Sequence, residues 1–198
     1  MIFVNKKDNR VILSVRKCGW STLAHWKTGL PSTNNWHNYS SSKKWEQGNP
    51  DKGGDTSMPW DNSFWKDYNI TLVIRDPIER YASGIAQLFK LDGHGVDVSK
   101  FNNWWKNLDK SNLSFNDGHT ANWLYLIKDM EYNSMQIVKT DELNNWLESE
   151  GLTPKKVNQT PSTMKYQVEQ VMGDKSILEY LKPEVEMYNY LLDKHYKE

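Results

Sequence analysis

The feature that most limits the fold of this chain is an uninterrupted apolar run at residues 70–74, followed at once by a strong helix start. Such a run is typical of a strand that is buried on both faces of a sheet. Directly after it, Asp76 suits a helix N-cap, Pro77 suits the first helical position and Glu79 completes a capping box. An apolar stripe at helical spacing continues until residues 93–95. We therefore predict a buried strand that leads into an amphipathic helix.

The first thirty residues repeat this order of strand and helix. Residues 2–4 and 11–15 are short apolar segments, which predict a hairpin or two successive strands, and a helical stripe follows at residues 20–30. Strands that alternate with helices favour an α/β fold, in which a central, mainly parallel sheet is flanked by helices. At 198 residues the chain is expected to form one domain, residues 1–198.

The remaining predicted elements lie in the C-terminal half of the chain. Between residues 121 and 150 we expect a helix at 121–130, a strand at 135–138 and a helix at 141–150. Gly151 is expected to stop the last of these helices. Residues 164–196 are expected to form helices that break near Gly173 and Pro183.

Residues 31–69 differ in composition from the rest of the chain. They are rich in Asn, Ser, Lys, Gly and Asp, and they include Trp36, Trp45, Trp60 and Trp65. A long irregular stretch inside a compact domain is usually functional or disordered, and disordered segments are poor in aromatic residues. We interpret this segment as a ligand-binding insertion, with packing of the tryptophans in the core as the alternative.

The charge balance and the cysteine content limit the classes of partner. The 25 basic and 25 acidic residues cancel, so no global positive field favours nucleic acid or an anionic membrane. No apolar run is long enough to span a bilayer, and no secretory segment opens the chain. One cysteine rules out an internal disulfide and fits a reducing compartment. The sequence predicts a cytoplasmic protein with no nucleic-acid or membrane partner.

A first candidate anion site lies between the second strand and the following helix, in the sequence Arg16-Lys17-Cys18-Gly19-Trp20-Ser21-Thr22. Backbone N–H groups at a helix N-terminus stabilise an anion, Gly19 permits close approach, and Ser21 and Thr22 add hydroxyl donors. Lys17 adds a mobile positive charge. It precedes the glycine, whereas the phosphate loop of nucleotide triphosphatases places its lysine after the glycines. Spacing alone leaves two alternatives, a phosphate-type site and an ordinary turn.

A second candidate anion site follows the apolar run at residues 70–74. Arg75 ends that strand, and Ser83 lies two helical turns below Asp76 on nearly the same face. A guanidinium fork and a hydroxyl group brought together in this way can hold a phosphate. We expect Arg80, one turn after Asp76, to form an i,i+4 pair with it. Three of the chain's four arginines fall within these two motifs.

Together, the two motifs resemble those of sulfotransferases that use PAPS (3′-phosphoadenosine 5′-phosphosulfate). Lys-x-Gly-x-Ser-Thr at residues 17–22 is similar to their 5′-phosphosulfate loop, and Arg-Asp-Pro-x-x-Arg-x-x-Ser at residues 75–83 is similar to their 3′-phosphate motif. Residues 2–23 and the Asn-Gln-Thr segment at 158–160 resemble the carbohydrate and heparan 2-O branches. Arg16 departs from the family, which usually has proline at that position.

The resemblance implies a P-loop-like sulfotransferase fold, PAPS as donor, PAP (adenosine 3′,5′-bisphosphate) as product, and no metal. It assigns the 5′-phosphosulfate to residues 16–22 and the 3′-phosphate to Arg75 and Ser83. It makes Lys17 catalytic, because a cation there stabilises charge on the leaving phosphate. The implied reaction is in-line transfer of a sulfuryl group to a hydroxyl group. Trp20 either stacks on the donor adenine or packs in the core.

A hydroxyl acceptor requires a general base, usually His or Glu in this superfamily. His119 opens the helix predicted at residues 121–130 and resembles a histidine of the carbohydrate branch. We favour His119 as the base and keep His37 and Glu46, in the tryptophan-rich segment, as alternatives. The expected acceptor is a carbohydrate or another small molecule with a hydroxyl group, bound by the insertion at residues 31–69.

Three other interpretations compete with this one. A sugar-binding protein could use the tryptophan-rich segment without chemistry, and a degenerate sulfotransferase could bind nucleotide without turnover. A P-loop phosphotransferase is disfavoured, because the Gly-Lys-Ser/Thr order and an obvious Mg²⁺-binding aspartate at a strand end are missing. The pair of anion motifs favours the sulfotransferase, because a lectin would not need them.

Overall fold

The computed structural model describes residues 2–5, 8–14, 17–19, 23, 46–47, 65–94, 97–115, 119–151 and 173–196. The strands in these ranges are β1 (Ile2–Asn5), β2 (Arg10–Ser14), β3 (Glu46–Gln47), β4 (Asn69–Ile74) and β5 (Ser134–Lys139). The α-helices are α1 (Pro77–Phe89), α2 (Phe101–Asn107), α3 (Leu143–Ser149) and α4 (Lys175–His195). A π-helical turn at Lys90–His94 and 3₁₀ turns at Val98–Lys100 and Leu124–Ile127 connect them. In these ranges no helix is both long and apolar enough to cross a membrane.

The strands form one sheet in the order β3-β1-β2-β4-β5. Strands β1 and β2 are an antiparallel hairpin, and β1 also pairs antiparallel with β3. Strands β2, β4 and β5 run parallel, with Leu13 beside Leu72 and Leu72 beside Ile137. The α/β class and the N-terminal hairpin are confirmed, and the parallel part of the described sheet has three strands.

Strand β4 is the apolar run predicted to be buried, and five of its six residues are buried. It lies between β2 and β5, so both of its edges are paired. Ser14 pairs with Val73, and Ile74 pairs with Lys139, so the three parallel strands end side by side. Ligands of open parallel sheets bind at this carboxyl edge.

The chain divides into two compact units. The described residues of the first lie within Met1–Ile74, Leu126–Asn158 and Tyr190–Glu198, and those of the second within Arg75–Tyr125 and Gln159–Asn189. In the first unit, the sheet packs on the segment after β2 and on α3 through Ile12, Val73, Val138, Leu23, Leu143 and Leu147. In the second, α1, α2 and α4 share a core of Tyr81, Ile85, Phe89, Phe101, Ile177 and Leu181.

Helix α1 begins as predicted. The Asp76 carboxylate accepts the backbone N–H groups of Ile78 at 2.9 Å and Glu79 at 3.1 Å, and Pro77 holds the first helical position. Glu79, predicted to complete a capping box, instead accepts a hydrogen bond from Arg75 Nε at 3.2 Å. The Asp76 carboxylate therefore caps this helix without the reciprocal bond from Glu79 that a capping box would have.

The C-terminal elements partly follow the prediction. Strand β5 and helix α3 confirm the strand predicted at residues 135–138 and the helix predicted at 141–150. The helix predicted at 121–130 is wrong, because only the 3₁₀ turn at Leu124–Ile127 forms there. The predicted break at Pro183 is also wrong, since α4 continues through it.

Helix α4 tolerates its internal proline because buried residues anchor it on both sides. A proline inside a helix removes one backbone hydrogen bond and costs about 3 kcal/mol. Leu181 precedes Pro183 and is fully buried, and Glu184 follows it and is fully buried too. Tertiary packing thus outweighs the local cost of Pro183, which is itself exposed.

Candidate functional site

A side-chain hydrogen bond closes the loop that follows β2. Ser14, the last residue of β2, donates its Oγ hydrogen to the backbone oxygen of Cys18 at 2.6 Å, and both residues are buried. The bond ties together residues four positions apart and so restricts the path of the chain between them. Cys18, predicted to bind the donor, is completely buried, so its observed contribution is to hold this loop in place.

Lys17 and Gly19 both have left-handed backbone conformations, with φ of 68° and 75°, whereas Cys18 between them does not. Alternating signs of φ turn successive backbone N–H groups toward one side, and concavities of this kind bind anions in many phosphate sites. A non-glycine residue in the left-handed region costs about 1–2 kcal/mol. Such strained residues cluster at functional sites. The predicted catalytic lysine is therefore held in a strained backbone conformation.

Gly19 fits this loop against the carboxyl edge of the sheet. A Cβ atom at Gly19 would lie 2.5 Å from Leu143 Cδ2, 3.8 Å from Thr140 Cγ2 and 3.8 Å from Val73 Cγ1. Val73 is near the end of β4, and Thr140 directly follows β5. The loop after β2 thus packs on the ends of two neighbouring parallel strands, where ligands of such sheets bind.

Leu23 is the one described residue of the helix predicted at residues 20–30. Leu23 is helical, and its backbone N–H donates to the carbonyl oxygen of Gly19 at 3.0 Å, the i to i−4 bond of a first helical turn. Leu23 is also fully buried in the core of the first unit. The other residues assigned to the 5′-phosphosulfate, Arg16, Trp20, Ser21 and Thr22, lie outside the described residues.

Arg75 follows β4 directly and lies at the start of the second unit. Its Nε donates to Glu79 Oε2 at 3.2 Å, and the two side chains are 30% and 56% exposed. Ion pairs at this exposure contribute at most about 1 kcal/mol. A bound phosphate, which carries more charge than the Glu79 carboxylate, can therefore replace it as the partner of Arg75.

Arg80 does not form the predicted pair with Asp76. Its guanidinium donates from Nε and Nη2 to the carboxylate of Glu184, at 3.0 and 2.7 Å. It also donates to the backbone oxygens of His119 at 3.2 Å and Ala121 at 2.9 Å. Arg80 is only 1% exposed, so these buried acceptors outcompete the half-buried Asp76 carboxylate, which already accepts two backbone N–H groups.

Helix α1 approaches the backbone of His119 at Gly84, the residue after Ser83. Gly84 follows Ser83, and a Cβ atom at Gly84 would lie 2.4 Å from the His119 carbonyl oxygen and 3.0 Å from Thr120 Cγ2. Ser83 is 9% exposed and His119 is half-buried. The structure therefore places the predicted 3′-phosphate serine and the favoured base on adjoining segments of the second unit.

The two alternative bases, His37 and Glu46, belong to the tryptophan-rich insertion. His37 lies outside the described residues, as does most of the tryptophan-rich insertion, and Glu46 is described only as a residue of β3. His119 lies in a turn rather than at the start of the predicted helix. Within the described ranges, no group of three or more His, Cys, Asp or Glu side chains could hold a metal ion.

The predicted site residues fall into two groups. Lys17, Cys18 and Gly19 belong to the first unit, and Arg75, Ser83 and His119 belong to the second. Sequence reasoning missed the Gly84 contact, although an isolated glycine inside a helical stripe is a recognised sign of close packing. It also missed Glu184, whose pairing with Arg80 spans 104 positions and leaves no local signal.

Comparison with protein-family models, with curated proteins and with solved structures finds no match for this chain.

Proposed function

We propose that this protein is a sulfotransferase, which transfers a sulfuryl group from PAPS to a hydroxyl group of an acceptor. The acceptor that we favour is a carbohydrate. The observation that carries the proposal is the loop after β2, in which Lys17 is held in a left-handed conformation beside Gly19. This loop packs at the carboxyl edge of parallel strands. A turn that merely joins a strand to a helix has no need of a strained lysine at this position.

The donor is bound through its two anionic ends. Lys17, the backbone of Gly19, and the hydroxyl groups of Ser21 and Thr22 bind the 5′-phosphosulfate, with Arg16, Cys18 and Trp20 completing the loop. Arg75 and Ser83 bind the 3′-phosphate. The neighbouring strands β2 and β4 lead into these two motifs and end side by side, which supports this division of roles.

The reaction is an in-line displacement at sulfur. The acceptor oxygen attacks the sulfur atom, and the bond from sulfur to the 5′-phosphate oxygen breaks, with its electron pair remaining on PAP. The proton of the acceptor hydroxyl passes to the base, for which we favour the imidazole of His119 over His37 and Glu46. Lys17 stabilises the charge that develops on the leaving phosphate.

Nucleotide binding tests the donor assignment directly. PAP is expected to raise the melting temperature clearly more than AMP does, because only PAP carries a 3′-phosphate. Arg75→Gln and Ser83→Ala are expected to remove most of this difference. Arg10→Gln is the matched control, because Arg10 also pairs with a glutamate, Glu150, in a bond outside both motifs. Equal shifts for PAP and AMP would contradict the 3′-phosphate role.

A non-catalytic binding protein is the alternative, and it gives a different result. Such a protein would bind PAP but would not transfer sulfate when loaded with PAPS and pools of hydroxyl-bearing acceptors. Mass spectrometry of those pools detects transfer as an added sulfuryl group. PAP binding without transfer to any pool would favour the binding protein.

A further inference from the structure

A cleft of about 330 Å³ lies wholly within the second unit, and neither motif contributes to its wall. It is formed by the last turn of α1, the turn after that helix, α2, and the segment that follows α2. The residues that define its chemistry are Leu88, Asp92, Trp104, Asp109, Ser111, Asn112 and Phe115. Its volume is at the lower end of the range for small-molecule sites, which is about 300–1,000 Å³.

The aromatic part of this cleft is held in place by the core. The Trp104 ring contacts Phe89 edge to face, with centroids 5.2 Å apart, and contacts Phe101 at 5.6 Å. Phe115 contacts Trp105 edge to face at 6.4 Å. Trp104 and Phe115 are each half-buried, so part of each residue remains accessible. Rings fixed in this way can bind the apolar face of a sugar without further ordering.

Two carboxylates on this cleft are oriented by hydrogen bonds. Asp92 Oδ2 accepts the indole N–H of Trp104 at 2.8 Å, and Asp109 Oδ1 accepts the backbone N–H of Ser111 at 2.9 Å. The hydrogen bond from Ser111 holds the pKa of Asp109 below its usual range, so Asp109 is ionised at neutral pH. Both aspartates are exposed and can reach a ligand.

The wall of the cleft carries negative charge. Among the described residues that line it, there is no lysine or arginine to balance Asp92 and Asp109. Lys110, next to Asp109 in the chain, donates instead to the backbone oxygen of Trp105 at 2.8 Å and lies 4.5 Å from the centroid of its ring. The cleft therefore repels anionic ligands and attracts cationic ones.

We propose that this cleft binds an amino sugar, a hydroxylated ring that carries a protonated amine. Asp92 and Asp109 attract the ammonium group, the side chains of Ser111 and Asn112 hydrogen-bond the ring hydroxyls, and Trp104 and Phe115 contact the apolar face of the ring. The combination of a fixed aromatic wall with two carboxylates selects this chemistry over uronic acids and over ligands that already carry sulfate.

The cleft lies on the same elements as part of the proposed site, which makes the amino sugar the acceptor if the proposed function holds. Thr120 Oγ1 donates to the backbone oxygen of Ser114 at 2.5 Å, which joins the residue after His119 to the segment that forms the cleft wall. Leu88 lies five residues after Ser83 on α1, a rise of about 7.5 Å along the helix. Binding of the amino sugar itself does not depend on sulfotransferase activity.

Titration calorimetry and the indole N–H resonances of the whole protein test the proposal with three probes. The probes are a glucosamine disaccharide, its N-acetylated form and a glucuronate disaccharide. We expect the glucosamine disaccharide to bind and to shift the Trp104 resonance, which Trp104→Phe identifies. The N-acetylated form is expected to bind roughly tenfold more weakly, a difference of about 1.4 kcal/mol. Glucuronate is expected not to bind.

Asp92→Asn and Asp109→Asn keep a hydrogen-bond acceptor for Trp104 and Ser111 but remove the charge. Each is expected to weaken glucosamine binding. Asp97→Asn is the control, because Asp97 is also an exposed aspartate that accepts hydrogen bonds from a serine, Ser99, but does not line the cleft. The proposal would be overturned if the glucosamine and N-acetylated probes bound equally tightly. It would also be overturned if Asp97→Asn weakened glucosamine binding as much as Asp92→Asn and Asp109→Asn do. If the glucosamine disaccharide binds but PAP and AMP raise the melting temperature equally, the amino-sugar site stands and the assignment of PAPS as the donor is rejected.

Discussion

Arg80 and Glu184, 104 positions apart in the chain, form a two-point ion pair that is almost entirely buried, with side chains 1% and 0% exposed. Burial raises the pKa of Glu184, and the Arg80 guanidinium together with the backbone N–H groups of Trp123 and Leu124 acts against that shift. The same guanidinium holds the His119 carbonyl oxygen. The pair thus fixes the segment that carries the favoured base against α1.

Removing one partner of this pair should strongly destabilise the second unit. Arg80→Met leaves the Glu184 carboxylate buried without its counter-charge, a change that typically costs about 3–5 kcal/mol. Adding Glu184→Met should recover part of the loss, because it removes the buried charge. The recovery is only partial, because the carbonyl groups of His119 and Ala121 lose their donor and the backbone N–H groups of Trp123 and Leu124 lose their acceptor. Urea denaturation of the two single variants and the double variant measures the coupling.

Arg10→Met is the comparison for the variants of Arg80. Arg10 donates to both carboxylate oxygens of Glu150, at 2.7 and 2.8 Å, but each of these side chains is 28% exposed. Because solvent screens this pair, its loss should cost no more than about 1 kcal/mol. Similar losses for Arg10→Met and Arg80→Met would show that burial is not what makes the Arg80 pair important.

Gly19→Ala should destabilise the loop after β2 more than its backbone conformation alone requires. Gly19 and Gly151 have nearly the same φ, 75° and 76°, so an alanine pays a similar conformational cost of about 1–2 kcal/mol at either position. A new Cβ at Gly19 would also lie 2.5 Å from Leu143 Cδ2, whereas one at Gly151 has nothing within 4 Å. The difference in unfolding free energy between the two variants measures the contact.

Leu143→Ala provides the second arm of that experiment. If the clash explains the extra loss, Gly19→Ala should cost less in a Leu143→Ala background, because the obstructing methyl group is gone. An unchanged cost in that background would place the strain elsewhere in the loop.

The elements that the sequence predicts well are those whose signal is local. The apolar run of β4 and the Asp76-Pro77 cap depend on residues a few positions apart, and both are found as predicted. The same local rules fail at Pro183, where burial of Leu181 and Glu184 overrides the cost of a proline. A residue's own sequence neighbours do not report what packs against it.

In the candidate site, too, the sequence predicts the local features but not the contacts between distant residues. The order of residues in Lys17-Cys18-Gly19 indicates a possible anion loop, but the left-handed conformation of Lys17 is a property of the folded loop. Pairing with Asp76 is the local expectation for Arg80, yet its partner is an acid more than a hundred positions away. The cleft beside Trp104 joins parts of the chain from residue 88 to residue 115, and no motif marks it.

Acidification should weaken the first unit through His195. The Tyr132 hydroxyl lies 2.8 Å from His195 Nε2, and burial, with the positive charge of Lys194, lowers the pKa of His195. Since the unfolded chain then takes up a proton near pH 6.5 that the folded chain does not, the free energy of unfolding should fall as the pH drops through that value.

Urea denaturation at pH 7.5 and pH 5.5 checks this dependence. His195→Gln should reduce the difference in unfolding free energy between the two pH values, because it removes the titrating group. Tyr132→Phe keeps the aromatic ring and removes the hydroxyl, so it separates packing from hydrogen bonding. A difference as large in His195→Gln as in the parent protein would assign the pH dependence to another group.

Lys17→Gly should separate the stability of the loop from its chemistry. The left-handed conformation of Lys17 costs about 1–2 kcal/mol, which glycine avoids, while the greater backbone freedom of unfolded glycine offsets roughly 0.5–1 kcal/mol of that gain. Lys17→Gly should therefore be as stable as the parent protein or slightly more stable, whereas Lys17→Ala retains the strain.

If the amine stabilises the leaving phosphate, both variants should lose turnover far more than PAP affinity. Unfolding midpoints, PAP titration and sulfuryl transfer are measured on the same three proteins. Turnover that survives in Lys17→Gly would remove Lys17 from the mechanism, and a loss of stability there would show that its side chain supports the loop.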